Sequence, residues 1–265
     1  MRPTQEQKAD TFRALHAGEA FLIPNPWDAG SAKVLEALGF EALASTSSGM
    51  AFTLGRPDGG ATLEEVLDHC RMLDRATSLP ISVDLENGYG PDPGDAALAI
   101  IRVAEAGAVG GSIEDYDPKG DIYGFEHAVE RVAAACEAAG QVGFPFTLTA
   151  RAENLIRGNP DLDDTIARLR AYERAGADVL YAPGLRNGAE IRAVCEAVTR
   201  PLNVLAHPGL TKDEIVAAGG RRISVGGALT WVGIGAMADA ARKMRDLGDF
   251  SSLVAPVQIK EWLQD

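Results

Sequence analysis

The chain has 265 residues, 46% of them apolar and 24% charged, with a formal net charge of −13. That length supports a sizeable core in one large domain or two small ones. The acidic balance argues against a nucleic-acid or anionic-membrane surface, because neutralising phosphates takes clustered Lys and Arg.

The first ten residues, MRPTQEQKAD, are polar and do not resemble a secretory signal. A polar helix is expected from Thr4 to Ala17, with Thr4 as its N-cap. After it, eight apolar runs recur: Ala20–Ile23, Ala42–Ser45, Ile81–Asp84, Val109–Glu114, Phe146–Ala150, Val179–Ala182, Leu202–Ala206 and Arg222–Val225. Each is followed by a turn and an amphipathic helix. Before several of them the chain repeats helix, glycine, strand. Gly39, Gly107, Gly176 and Gly219 suit the position just past a helix end, where φ is positive. The apolar stretch Ile223–Ala241 is broken by Gly226, Gly227, Gly233 and Gly235, and reads as a strand and a helix rather than a membrane span. Cys70, Cys136 and Cys195 are odd in number and widely spaced, as expected of reduced thiols in a cytoplasmic protein.

Near-continuous apolar strands alternating with helices imply a parallel sheet covered on both faces. Eight such units in about 250 residues have the size of a (β/α)8 TIM-type barrel, with chemistry at the carboxyl ends of the strands. A doubly wound sheet would carry a GxGxxG turn after its first strand, but the chain reads Ile23-Pro24-Asn25-Pro26-Trp27-Asp28 there. The expectation is a single domain over residues 1–265, with a C-terminal helical extension over about 249–265.

The strand ends carry a theme. Asp84 and Glu86 follow the third strand, and Glu114 and Asp115 end the fourth. Four carboxylates at neighbouring strand ends repel unless a cation or shared protons relieve them. The bland alternative is that these acids cap the helices that follow. The second strand ends in Ser45-Thr46-Ser47-Ser48-Gly49, whose N–H groups can cradle an oxyanion. Arg151 ends the fifth strand and His207 the seventh. Oxygen ligands with few nitrogens suit Mg2+ or Mn2+, and an arginine beside N–H groups suits a carboxylate. Together they suggest an anionic 2-oxo acid chelated by the metal. None of the six lysines falls on a strand, which disfavours a Schiff-base aldolase. His16, His69 and His127 fall in helical patterns as packing or surface residues.

The segments SSGM, LGRPDGG, VDLENGYG, SIEDY and TAR, taken together, resemble the isocitrate lyase/phosphoenolpyruvate mutase superfamily from Asn25 to about Gly227. The resemblance implies a modified barrel that binds Mg2+ and a 2-oxo acid such as oxaloacetate, 2-oxoglutarate or a pyruvate-like compound. Position by position, it makes Asp84 the direct metal ligand, with Glu86 and Glu114 acting through waters and Asp58 a further acid nearby. It makes Ser47, Ser48 and Gly49 the carboxylate-binding turn and Arg151 the substrate clamp; His207, the one histidine at a strand end, is a further substrate-binding candidate on its position alone. Asp58, Arg151 and Lys119 are the candidate catalytic residues. It also implies a homo-oligomer, a tetramer or dimer, exchanging a C-terminal helix that Phe250 to Leu263 would supply.

Two departures stand out. Glu86 replaces the usual Asp. The loop Asp117–Gly124 offers Lys119, Asp121 and Tyr123 but no cysteine, whereas lyases of the superfamily carry a Lys-Lys-Cys-Gly-His type of sequence there. The expected activity is therefore C–C or P–C cleavage through a metal-stabilised enolate, with decarboxylation or hydrolysis of an oxaloacetate-like acid favoured and isocitrate-type cleavage disfavoured. Alternatives are a barrel that binds a 2-oxo acid without turnover, and a phosphate-binding barrel enzyme prompted by Gly226-Gly227.

Overall fold

Eight short parallel strands form one sheet in the computed structural model, which describes residues 2–254 and 258–263. They are β1 Phe21–Ile23, β2 Leu43–Ala44, β3 Ile81–Asp84, β4 Gly110–Glu114, β5 Thr147–Arg151, β6 Val179–Tyr181, β7 Leu202–Leu205 and β8 Arg222–Ser224. The order β1-β8-β7-β6-β5-β4-β3-β2 nearly closes on itself. A backbone hydrogen bond from Ala44 N to Pro24 O, 3.1 Å, spans the remaining seam. The result is the expected (β/α)8 barrel, its strands within a residue or two of the predicted runs.

The helices are α1 Gln5–Ala17, α2 Ala29–Ala37, α3 Ser47–Thr53, α4 Leu63–Ala76, α5 Pro93–Glu105, α6 Phe125–Gln141, α7 Leu162–Ala175, α8 Gly188–Ala197, α9 Lys212–Ala217, α10 Ala228–Leu247 and α11 Ile259–Trp262. Starts are written in the sequence: Thr4 and Gln7, Thr62 and Glu65, and Thr211 and Glu214 each make a reciprocal capping box. Gly176 ends α7 at φ 109°, and Gly107 turns into β4 at φ 110°. From α4 to α9 successive helices pack side by side around the sheet, burying one apolar cluster about Leu67, Ile100 and Leu148 and another about Leu169, Tyr172 and Ile191.

α1 closes the N-terminal mouth with Ala9 and Phe12 against Phe21, Ile23 and Val109. Gly110 makes room for this plug, since a Cβ there would lie 2.8 Å from the Phe12 ring. With one mouth sealed by apolar side chains, the opposite, carboxyl-terminal mouth holds the polar strand ends. No described helix is long and apolar enough to cross a membrane. Residues 255–257, 264 and 265 of the expected C-terminal extension lie outside the described residues; α11 rests against α2 of its own chain.

Candidate active site

Sheet register places the acids. Asp84 pairs with Ser112 across β3 and β4, and Glu114 pairs with Arg151 across β4 and β5. Asp84 does not cap the helix that follows it in the chain, because α5 begins nine residues later behind Asp92. Its carboxylate instead accepts from Ser47 N at 3.4 Å, Glu86 N at 3.2 Å and Ser112 Oγ at 3.5 Å. The helix-capping alternative therefore fails for this residue.

Beyond Asp84 the chain turns sharply. Glu86 and Tyr89 are the two described non-glycine residues with positive φ, at 48° and 65°. Such backbone is costly for a residue with a Cβ, and it leaves Glu86 on the wall of a chamber shared with Asp58 and Glu114. The turn is held by Glu114 N donating to Glu86 O at 2.9 Å. Burial, reinforced by the neighbouring Asp84 and Asp58 carboxylates, pushes the Glu86 carboxyl up to about 7. Burial also raises Glu114 well above the usual carboxylate range, against the opposing pull of Arg151.

Arg151 is the countercharge at the centre. Its Nη1 lies 3.2 Å from Glu114 and 3.8 Å from Asp84, its Nε donates to Glu153, and its guanidinium sits 5.2 Å from the Tyr181 ring centre. Glu153 is fully buried and is itself positioned by Asp115, whose Oδ1 accepts from Glu153 N at 2.8 Å. Asp115 is in turn fixed by Arg168 Nη1 at 3.0 Å and Tyr172 Oη at 2.5 Å. It is thus a positioning acid, away from the mouth.

Two connected chambers open here. The inner one, about 180 Å³, reaches from Ser47, Ser48 and Asp84 down to Asn203 and Ser224. The outer one, about 200 Å³, is walled by Glu86, Glu114, Tyr116, Pro118 and Arg157. Ser47, Asp58 and Arg151 line both. Larger hollows of about 700 and 530 Å³ lie at the opposite end, against α1, and contain none of the predicted site residues.

Ser47 and Ser48, expected in a turn, form the first residues of α3, capped by Thr46. Gly49 does not line either chamber. A Cβ there would meet Thr230 Oγ1 at 2.6 Å and Thr46 Cγ2 at 2.7 Å, so its smallness lets α10 close on α3. Lys119 stands exposed at the tip of a short hairpin, closed by a Tyr116–Ile122 bridge, and lines neither chamber. His207 also lines neither; its Nδ1 accepts from Gly209 N at 3.1 Å. Tyr123, the other loop candidate for proton transfer, is buried and accepts from Asn87 Nδ2 at 2.9 Å. Burial pushes the Cys70, Cys136 and Cys195 thiols up to about 12, 12 and 11, and none lines either chamber. Arg157 and Tyr116 carry no sequence signal beyond the i, i+4 spacing of Glu153 and Arg157, yet both wall the outer chamber.

Gly226 and Gly227 do line the inner chamber, but Asn25 Oδ1 accepts from Val225 N and Gly226 N, each at 2.9 Å. Those two N–H groups are therefore already paired within the protein. A Cβ on Gly227 would stand 2.5 Å from Ser48 Oγ, so close packing accounts for this glycine.

Among the described residues no group of three or more His, Cys, Asp and Glu side chains converges to hold a metal ion directly. The donor set nevertheless fits Mg2+. It is all oxygen, it is concentrated on Asp84, Glu86 and Glu114, and burial together with the Asp84 and Asp58 carboxylates pushes Glu86 up to about 7, a repulsion that a cation would relieve. Mg2+ usually retains several waters and takes only one or two carboxylates directly.

A barrel mouth that gathers acids around Arg151 beside a helix start has the make-up of an enzyme active site. The chain belongs to the phosphoenolpyruvate phosphomutase family, whose profile it matches over residues 12–245. Its relatives place it among the lyases and hydrolases of the isocitrate lyase/phosphoenolpyruvate mutase superfamily. It is similar to a Burkholderia cenocepacia J2315 structure designated a lyase/mutase, at 52% identity and TM-score 0.95 over 97% of this chain and 96% of that one. It is 34% identical to 2-methylisocitrate lyase of Halalkalibacterium halodurans (82% and 73% covered) and 30% identical to oxaloacetate decarboxylase of Marinomonas sp. (93% and 88%). The structure of oxaloacetate acetylhydrolase with its product oxalate aligns at 26% identity and TM-score 0.87, covering 98% of this chain and 94% of that one.

Proposed function

We propose that this enzyme uses Mg2+ or Mn2+ to cleave a C–C or P–C bond of a small 2-oxo acid, an oxaloacetate-like dicarboxylate being favoured: decarboxylation breaks its C3–C4 bond and hydrolysis its C2–C3 bond. The observation that carries this reading is the meeting of Asp84, Glu114 and Arg151 at adjacent strand ends, over a chamber walled by the Ser47–Ser48 helix start. Asp84 would hold the ion directly, with Glu86 and Glu114 acting through waters. A divalent ion held there supplies positive charge where the substrate oxygen gains negative charge as the bond breaks. Arg151 receives the substrate carboxylate with a planar fork, and the N–H groups and hydroxyls of Ser47 and Ser48 complete the clamp. Glu153, locked by Asp115, fixes the plane of that fork.

The lack of a chamber-lining thiol supports decarboxylation or hydrolysis over isocitrate-type cleavage, because a small carbanion can take its proton from water. Assembly is also part of this reading. Thr230 is the one buried residue among the 20 described in α10, which exposes Trp231, Val232, Met237 and Leu247. A homo-oligomer, a dimer or tetramer, would cover that face.

The test is a substrate panel with Mg2+: oxaloacetate, phosphonopyruvate and pyruvate-like acids, with pyruvate and oxalate quantified as products above the metal-only background. Turnover of oxaloacetate that disappears in Asp84→Ala, together with its Mg2+ binding in calorimetry, is expected. Tight oxalate binding with no product from any substrate would instead indicate a binding barrel without turnover.

A further inference from the structure

Resting on the 2-oxo acid reading, we propose that Arg157 is a second carboxylate anchor, and that it makes the enzyme selective for 2-oxo dicarboxylates over 2-oxo monocarboxylates.

The outer chamber presents a charge problem. Asp58, Glu86 and Glu114 line it, and any second carboxylate entering would be repelled. Arg151 also reaches it, but in the proposed mode its guanidinium, set between Glu114, Glu153 and Asp84, takes the headgroup carboxylate and not a second one. Arg157 is the other cation on that wall. Its plane is held on two sides: the Tyr116 ring lies 3.8 Å away, and Nε donates to Glu153 Oε2 at 3.0 Å. Nη2 stands 3.9 Å from Glu114 Oε1, beyond hydrogen-bonding distance. Of the five N–H donors of a guanidinium, only Nε therefore has an acceptor among the described residues. A third of the side chain remains exposed. The result is a preorganised fork, oriented by stacking and by one buried glutamate, with its outer edge free for a ligand.

The two chambers share Ser47, Asp58 and Arg151, so a headgroup clamped by Arg151 has its tail at the entrance to the outer chamber. A tail ending in carboxylate meets Arg157; a tail ending in methyl leaves the fork unpaired. Discrimination of this kind is strong, because the penalty falls on unpaired polar groups of the site.

Calorimetry in Mg2+ with two ligands tests this. Oxalate supplies the headgroup alone, and 3,3-difluorooxaloacetate supplies headgroup and distal carboxylate. In Arg157→Met the dicarboxylate should bind about 10- to 100-fold more weakly, the range of a charge-assisted hydrogen bond, while oxalate affinity stays within about twofold. Arg157→Lys should recover part of the loss, since it keeps the charge and loses the fork. Equal weakening of both ligands would show that Arg157 only props Glu114 and Glu153, and would overturn the proposal. Unchanged dicarboxylate affinity would overturn it too. If the parent protein fails to bind oxalate, the 2-oxo acid reading falls, and the role of Arg157 falls with it.

Discussion

Glu86 offers a direct measurement of the cost of burying and crowding charge in the acid cluster. An ordinary glutamate titrates near 4.5, and here the folded protein holds the proton to about 7. Because the folded-state value is the higher one, the folded form is favoured while Glu86 is protonated, and that advantage is lost as pH rises from about 4.5 through about 7. The displacement corresponds to about 3 kcal/mol at slightly alkaline pH. Glu86 is only half-buried, and water in the chamber screens part of the repulsion, leaving about 1–2 kcal/mol. Glu86→Gln keeps the shape and cannot ionise. In chelator-treated protein, urea unfolding should show the variant more stable than the parent by about 1–2 kcal/mol at pH 8, with the difference shrinking toward zero as pH falls below about 4.5. Added Mg2+ should reverse the order at pH 8, since it neutralises Glu86 in the parent and has less to bind in the variant. A stability difference between variant and parent that is the same at pH 5 and pH 8 would refute the argument, because it would mean that Glu86 is not held protonated by burial and the nearby Asp84 and Asp58 carboxylates.

Arg151→Lys keeps the charge but loses the planar fork shared by Glu114 and Glu153; oxalate affinity by calorimetry should fall by about 1–3 kcal/mol, and undiminished affinity would remove the fork from recognition. Neither isocitrate nor 2-methylisocitrate should release glyoxylate at a useful rate, despite the similarity to a 2-methylisocitrate lyase. The loop Asp117–Gly124 has no thiol, Tyr123 is buried, and absent general-acid help costs about 10²–10⁴-fold; strong glyoxylate hydrazone absorbance would show that another group delivers the proton. Val232→Glu with Leu247→Glu on the exposed face of α10 should shift sedimentation toward the monomer, and an unaltered profile would place the subunit contact elsewhere.

Much of this protein is local and therefore legible along the chain. Strand-length apolar runs, Thr and Asp caps, and glycines needing positive φ at Gly107 and Gly176 act over a few residues. Eight repeats of that grammar determine a barrel, and a barrel brings strand ends such as Asp84, Glu114 and Arg151 to one mouth. Side-chain direction is a different matter. Gly49 and His207 belong to the right loops by sequence, yet packing against Thr230 and a local bond from Gly209 keep them out of the chambers. Lys119 has the right position and is carried away by the hairpin at whose tip it stands. Conversely, Arg157 reads as an ordinary surface arginine after a strand, and becomes part of the site only because Glu153 and Tyr116, from two different loops, hold its guanidinium against the outer chamber. Sequence alone determined which chemistry stands at the mouth of the barrel. Which of those groups face the chamber is decided by contacts between residues distant in the chain, and only the tertiary structure brings those residues together.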